Sequence, residues 1–280
     1  MTTIEYMAET LQSNDTEELL PIFSSISIEQ SRLLSTIVSS RNGKRNRPDS
    51  LMVALRDRGT KPPIFICANA YEEIAPLSQD LDPERALYFL ESGYFAIEGT
   101  NSQIKELATY HIRDILAVQT EAPYFLCGYS HGGILAWEIA QQLKALGKPV
   151  AMLFILDTPG DKPSYQLYEH LDYTFRTNWN YLTNFLGITK LSSFSRTTQS
   201  RIDLDRSLAN LQDPYIFQSY NRKICLLTAT KTDRHSFFSQ KLKLWLFPKL
   251  GWQSQIASQL EVTKIPGDHF PSLNNLMFDF

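Results

Sequence analysis

No apolar run in this 280-residue chain approaches the ~20 residues that a membrane-spanning helix needs. The N-terminus (MTTIEYMAETLQSNDTEELL) is acidic and lacks the charged-then-apolar order of a secretory signal. Cysteine is scarce: Cys67, Cys127 and Cys225 lie far apart and form no C-x-x-C pair. This argues against a disulfide framework or a cysteine metal site, and makes a reducing cytoplasm the simplest location. There is also no basic excess. The 27 Lys and Arg against 30 Asp and Glu give a formal charge of −3, unlike the usual nucleic-acid binder. Core-forming residues, by contrast, are plentiful. The chain is 43% hydrophobic and 12% aromatic, enough for one α/β domain with an extra element.

The chain is organised around residues 124–133, YFLCGYSHGG. Its first residues are bulky and apolar, as a buried parallel strand requires. Gly128-Tyr129-Ser130-His131-Gly132 then fits G-x-S-x-G, and a helical pattern follows through Ile134, Leu135, Trp137, Ile139, Ala140 and Leu143 to Gly147. Strand, Gly-Ser-Gly and helix in that order is the nucleophile elbow of an α/β-hydrolase. A serine in so tight a turn leaves no room for side chains two positions away, hence the two glycines. The turn exposes Oγ at the carboxyl edge of the sheet, beside the N–H groups of the new helix. Ser130 is therefore a candidate nucleophile.

Residues 1 to about 40 read as helical and partly amphipathic, and residues 41–48 (RNGKRNRP) as a polar linker or exposed loop. Strands are expected at 51–55, 63–68, 86–89, 150–156, 224–229 and 261–265, with a short helix at 74–81. A helix capped by Asn101 should bury one face, with His111 on its edge. Residues 163–220 lack strand signal and are rich in aromatics at helical spacing, which reads as a helical lid over the sheet edge. Asp157 follows strand 150–156 and His269 follows the last strand, so both fall on the rim that carries Ser130. The order Ser130, Asp157, His269 is that of the α/β-hydrolases. Asp233, which also follows a strand, is the alternative acid. The predicted fold is an α/β-hydrolase: a mostly parallel sheet with helices on both faces and a lid insertion. Residues 1–49 are expected to form an N-terminal helical segment and linker, and 50–280 the hydrolase domain.

The segment GYSHGGILAWEIAQQLKALGKPVAMLFILDTPG resembles the thioesterase domains that end polyketide and non-ribosomal peptide synthases. The likeness carries G-[YWH]-S-x-G-G, A-x-E-x-A and a strand ending in L-D. It extends to Leu250-Gly251-Trp252 and Pro266-Gly267-Asp268-His269-Phe270, and runs from about residue 50 to 271. It implies release of an acyl or peptidyl chain from the phosphopantetheine thioester of a carrier protein, in cis or in trans, with no resident cofactor or metal. On this likeness the nucleophile, acid and base fall on Ser130, Asp157 and His269. The loop after strand 63–68, Ala68-Asn69-Ala70-Tyr71, is short and lacks the glycines usual there, and only eleven residues follow His269. The backbone N–H of His131 is the first expected oxyanion donor, with Ala70 or Asn69 as the second. Tyr129, Trp179 and Phe185 are expected to bind substrate. Residues 2–11 resemble the last helix of a carrier domain, without a preceding G-x-D-S motif, which suggests a C-terminal piece of a larger synthase. The alternatives are an editing-type stand-alone thioesterase, a general esterase or lipase, and a non-catalytic carrier-binding module.

Overall fold

The computed structural model describes residues 23–71, 74, 78–79, 81–158, 160, 213, 215–229, 245–247, 249–252 and 260–265. Among them are seven strands in one sheet, in the order β1-β3-β2-β4-β5-β6-β7. These are β1 (Met52–Arg56), β2 (Lys61–Ala68), β3 (Arg85–Glu91), β4 (Tyr124–Tyr129), β5 (Val150–Leu156), β6 (Ile224–Ala229) and β7 (Leu260–Ile265). Only β1 runs antiparallel, on the edge against β3; the other neighbouring pairs are parallel. Each expected strand is present; β5 and β6 keep the expected ends, and the others shift by a residue or two.

Side-chain alternation divides the sheet's burial into two cores. One takes Phe65, Cys67, Tyr88, Leu90, Leu126, Leu153, Ile155 and Leu226. The other takes Ile66, Phe89, Cys127, Tyr129, Phe154, Leu156 and Leu227, together with Ile74 and Leu81. With both faces buried, the central strands read as continuous apolar runs rather than alternating ones, which is why they stand out in the sequence. Three long helices, α1 (Ile28–Ser39), α2 (Asn101–Val118) and α3 (Gly132–Ala145), all contribute to the first core.

α1 and α2 begin with capping boxes. Ser27 pairs reciprocally with Gln30, and Thr100 with Gln103, satisfying amides that a helix start leaves unpaired. The cap of α2 is thus Thr100, one residue before Asn101. α1 buries Leu34, Ile37 and Val38 in the same core as α2 and α3.

Residues 41–48, expected as a polar linker or exposed loop, are fastened at two points. Arg41 lies 3.8 Å from the Glu91 carboxylate, and the two side chains are 5% and 0% exposed. Arg47 donates from Nε to Asp49 at 3.0 Å and reaches Asp114 on α2 through its terminal nitrogen. Ser50 donates to the other Asp114 oxygen at 2.9 Å, and the Tyr110 hydroxyl donates to Asp49 at 2.8 Å. Burial raises the pKa of Asp49, but hydrogen bonds from Tyr110, Arg47 and Arg113 outweigh it and hold the carboxyl at about 2. Asp114, more deeply buried, titrates above its ordinary value because desolvation dominates. His111, expected on the edge of the apolar stripe, is fully buried, since residues around 50 and β3 cover α2 beyond its sheet-facing stripe.

Of the predicted lid, residues 213 and 215–220 are described, and its other residues lie outside the described set. This end is anchored to the helices. Asp213 accepts from the Ser102 backbone N–H at 3.0 Å, the Tyr215 hydroxyl donates to Glu138 at 2.6 Å, and Gln141 donates to the Gln218 carbonyl at 2.9 Å.

Candidate active site

β4 and β5 end at the same level, with Tyr129 opposite Leu156. The next residue on each strand is therefore Ser130 and Asp157, side by side on the carboxyl edge. The Ser130 N–H donates to the Leu156 carbonyl at 2.9 Å, and the Asp157 N–H to the Leu227 carbonyl of β6 at 2.8 Å. Both residues have left-handed backbones, φ +53 for Ser130 and +45 for Asp157. A non-glycine residue in that region costs on the order of 1–3 kcal/mol and persists only where its surroundings enforce it.

The surroundings of Ser130 are enforced by close backbone approach. A Cβ at Gly128 would lie 2.4 Å from the Gly133 Cα, and one at Gly132 would lie 2.3 Å from the Cys67 carbonyl oxygen. The turn does require glycine on both sides of the serine, and the contacts show what each glycine accommodates. Gly128 lets the first turn of α3 fold back on β4, and Gly132 lets that turn sit against the end of β2. Gly133 is equally constrained, since a Cβ there would lie 1.9 Å from the Thr158 hydroxyl.

α3 opens differently from the other two helices. His131, its N-cap, already has helical angles and makes no side-chain cap bond. The positive end of this helix thus meets the sheet edge without a capping side chain. The His131 ring turns toward Tyr94, centroids 5.5 Å apart and planes at 61°. The Gly132 contact with the end of β2 puts this turn beside residues 69–70, from which the second oxyanion donor is expected. Asn69 is buried and its side-chain oxygen accepts from Ser92 Oγ at 2.9 Å, while Ala70 is half-buried.

Ser130, His131, Asp157, Asn69 and Ala70 thus share one edge of the sheet. Tyr129 lies just beneath it with its ring in the second core, 5% exposed. His269, Trp179, Phe185 and the alternative acid Asp233 lie outside the described residues; β7 ends at Ile265, shortly before His269.

Leu250-Gly251-Trp252 stands out in the sequence without a legible role, and Thr158, Ser92 and Tyr94 do not stand out at all. The first group secures the exit of β5. The Gly160 N–H donates to the Leu250 carbonyl at 2.8 Å, and the Trp252 indole N–H to the Thr158 carbonyl at 3.3 Å. Leu250 and Gly251 both take left-handed turns, φ +50 and +81. A run of ordinary polar residues gives no local signal for Ser92 or Thr158, because their partners are distant in sequence.

The three cysteines lie in β2, β4 and β6 as free thiols. Burial pushes Cys127 up to about 12, with the neighbouring Cys225 adding to the effect, so it stays a thiol near neutrality. Among the described residues, no group of three His, Cys, Asp or Glu is placed to hold a metal ion. None of the described helices is long and apolar enough to cross a membrane.

A sheet of this topology with a serine elbow at its carboxyl edge is an α/β-hydrolase architecture. The Thioesterase domain family matches residues 61–277, and the chain belongs to that family. It is 30% identical over 138 residues to enterobactin synthase component F of Escherichia coli (strain K12), covering 48% of this chain and 11% of that protein. It is 26% identical over 185 residues to polyketide synthase PksR of Bacillus subtilis (strain 168), covering 66% of this chain and 7% of that one. The chain therefore spans only a small part of these curated relatives. Among solved structures, the NocB thioesterase domain from the nocardicin cluster superposes with a TM-score of 0.54 at 21% identity, covering 81% of this chain and 93% of that one. At this identity the likeness speaks for the fold.

Proposed function

We propose that this protein releases an acyl or peptidyl chain from the phosphopantetheine thioester of a carrier protein through an acyl-serine intermediate. The observation that carries the reading is the elbow: Ser130 in a left-handed turn between glycines, with Asp157 on the adjacent strand end. His269 takes the Ser130 proton as Oγ bonds to the thioester carbonyl carbon. The resulting oxyanion is met by the N–H of His131 and by that of Ala70 or Asn69. Collapse expels the phosphopantetheine thiolate, which takes its proton from His269, leaving an ester on Ser130. Water or a nucleophile in the acyl chain then attacks the ester, with His269 again as base. Asp157 holds the His269 tautomer and stabilises its charged form.

The carrier protein, in cis or in trans, is the proposed partner, and the family membership together with synthase relatives supports it. The phosphopantetheine belongs to the substrate, so the reaction as written uses no resident cofactor. The cytoplasm is the proposed compartment, in keeping with three free thiols. The division at residue 49 stands as a proposal. Trp179 and Phe185 are proposed to line the acyl tunnel of a lid at about 163–220.

The test compares octanoyl-pantetheine thioester with an octanoate oxygen ester as substrates, alongside fluorophosphonate labelling of the serine. Faster turnover of the thioester, with labelling at Ser130, supports the reading. Preference for the oxygen ester would make the protein a general esterase, and no turnover of either would leave a carrier-binding module.

A further inference from the structure

Residues 92–94, which follow β3, touch both flanks of this site. Ser92 is fully buried, and its Oγ donates to the Asn69 side-chain oxygen at 2.9 Å. Its backbone N–H donates to the Ala68 carbonyl at 3.2 Å, and the Tyr94 N–H donates back to Ser92 Oγ at 3.2 Å. Tyr94 then places its ring edge-on against His131. Gly93 makes the turn between them with φ +77, where a Cβ would press on Ile97 at 3.0 Å. The end of β3 is itself braced. His111 Nε2 donates to the Glu91 carbonyl at 2.9 Å, and the Glu91 carboxylate faces Arg41.

The loop after β2 has no glycine to set its backbone, so something else must fix residues 69–70. We propose that Ser92 is a positioning residue for the acyl-transfer reaction. Its hydrogen bond to Asn69 sets the main chain that carries the second oxyanion donor, and Tyr94 ties the same short loop to His131, the first. The two donor-bearing segments are then held in mutual register by one turn of three residues. The inference rests on the reading of His131 and of residue 69 or 70 as the oxyanion donors. Small errors in such an arrangement are costly, because a displacement of about 1 Å lowers rates by up to ~100-fold.

The test is a double-mutant cycle of Ser92→Ala and Asn69→Ala, read with two probes. Octylboronic acid forms a tetrahedral adduct on the serine and needs the oxyanion donors. S-octyl pantetheine thioether binds without reaching that state. Ser92→Ala should lower kcat/KM and boronate affinity together by ~10–100-fold. Thioether affinity should change by less than about twofold, since the lost interaction belongs to the transition state. In the Asn69→Ala background Ser92→Ala should add little, as two residues acting through one bond require. Parallel loss of both probes with a lowered melting temperature, additive effects, or no loss at all would each overturn the proposal. Asn69→Pro and Ala70→Pro, which each remove one N–H, separate this from failure of the underlying reading. If boronate affinity survives both, the donors lie elsewhere and the proposal falls with them. If either lowers it while Ser92→Ala does not, the donor reading stands and Ser92 has no such role. Should the proline variants fail to fold, the alanine cycle decides alone.

Discussion

The elbow after β4 and the loop after β2 face each other across the sheet edge, and they are held in different ways. At the elbow, Gly128, Gly132 and Gly133 let backbones approach so closely that a single Cβ would meet Gly133, Cys67 or Thr158 at 2.4 Å or less. On the other side, residues 68–69 are tied by directional hydrogen bonds, Ser92 to Asn69 and Ser92 to the Ala68 carbonyl. The first arrangement is written in glycines and can be read from sequence. The second depends on residues more than twenty positions apart and cannot. A site can evidently be rigid on both flanks without using the same device twice.

Breaking the elbow side at the nucleophile should have the largest effect. Ser130→Ala should abolish fluorophosphonate labelling, and persistence of the label would move the nucleophile elsewhere. Next comes the acid. Asp157→Asn should lower turnover by roughly three to four orders of magnitude by stabilising the wrong tautomer of His269. If Asp233→Asn is the crippling change instead, the acid sits beyond β6 and the editing-type reading replaces product release.

Gly132 and Gly133 differ in what an added Cβ would meet. Gly132→Ala would drive a Cβ into the Cys67 carbonyl and the Ala68 N–H, backbone atoms that cannot rotate aside. Overpacking costs about 1–3 kcal/mol and sometimes more, so this variant should lie at the upper end or fail to fold. Gly133→Ala meets a side chain, with Thr158 Oγ1 at 1.9 Å and Cγ2 at 2.8 Å. Thr158→Ala removes both atoms, so Gly133→Ala/Thr158→Ala should recover part of the loss in chemical denaturation. No such rescue is available to Gly132. Equal rescue of both would mean that the close approach is not what the glycines serve.

Most of the fold was legible because parallel strands buried on both faces are unbroken apolar runs, as with VAMLFIL in β5. The elbow was legible because few local structures demand glycine on both sides of a serine. What escaped was long-range polar packing. Residues 41–48 look like any basic loop until Arg41 meets Glu91 and Arg47 meets Asp114. Likewise, one helical stripe on α2 suggested an edge position for His111, since periodicity shows the face toward the sheet and not the cover supplied by a distant segment. Ser130 and Asp157 were legible as well, because each directly follows an apolar strand run, and the structure sets them side by side on the ends of β4 and β5.

The smallest expected effect concerns pH, and it separates the two flanks. Close backbone contacts do not titrate, whereas the end of β3, from which Ser92 extends, is braced by a histidine. His111 is fully buried, with Nε2–H donating to the Glu91 carbonyl and no partner for Nδ1 among the described residues. A proton on Nδ1 would place an unpaired charge in the core, so burial holds the folded pKa down at about 4, against an ordinary 6.5. Below pH 6.5 the unfolded chain takes up this proton while the folded protein does not. The stability present above 6.5 is therefore lost progressively as pH falls toward 4, by about 3 kcal/mol at most if one pKa unit is worth ~1.4 kcal/mol. His111→Gln keeps a donor for the Glu91 carbonyl but cannot titrate. Its denaturation midpoint should be flatter between pH 6.5 and 4 than that of the parent protein, whatever its absolute stability. Boronate affinity read on the folded protein should follow the same pH profile in both proteins down to about pH 4, because His111 stays neutral in the folded state until then. Identical denaturation profiles in the two proteins would show that His111 does not set the acid limit of the fold.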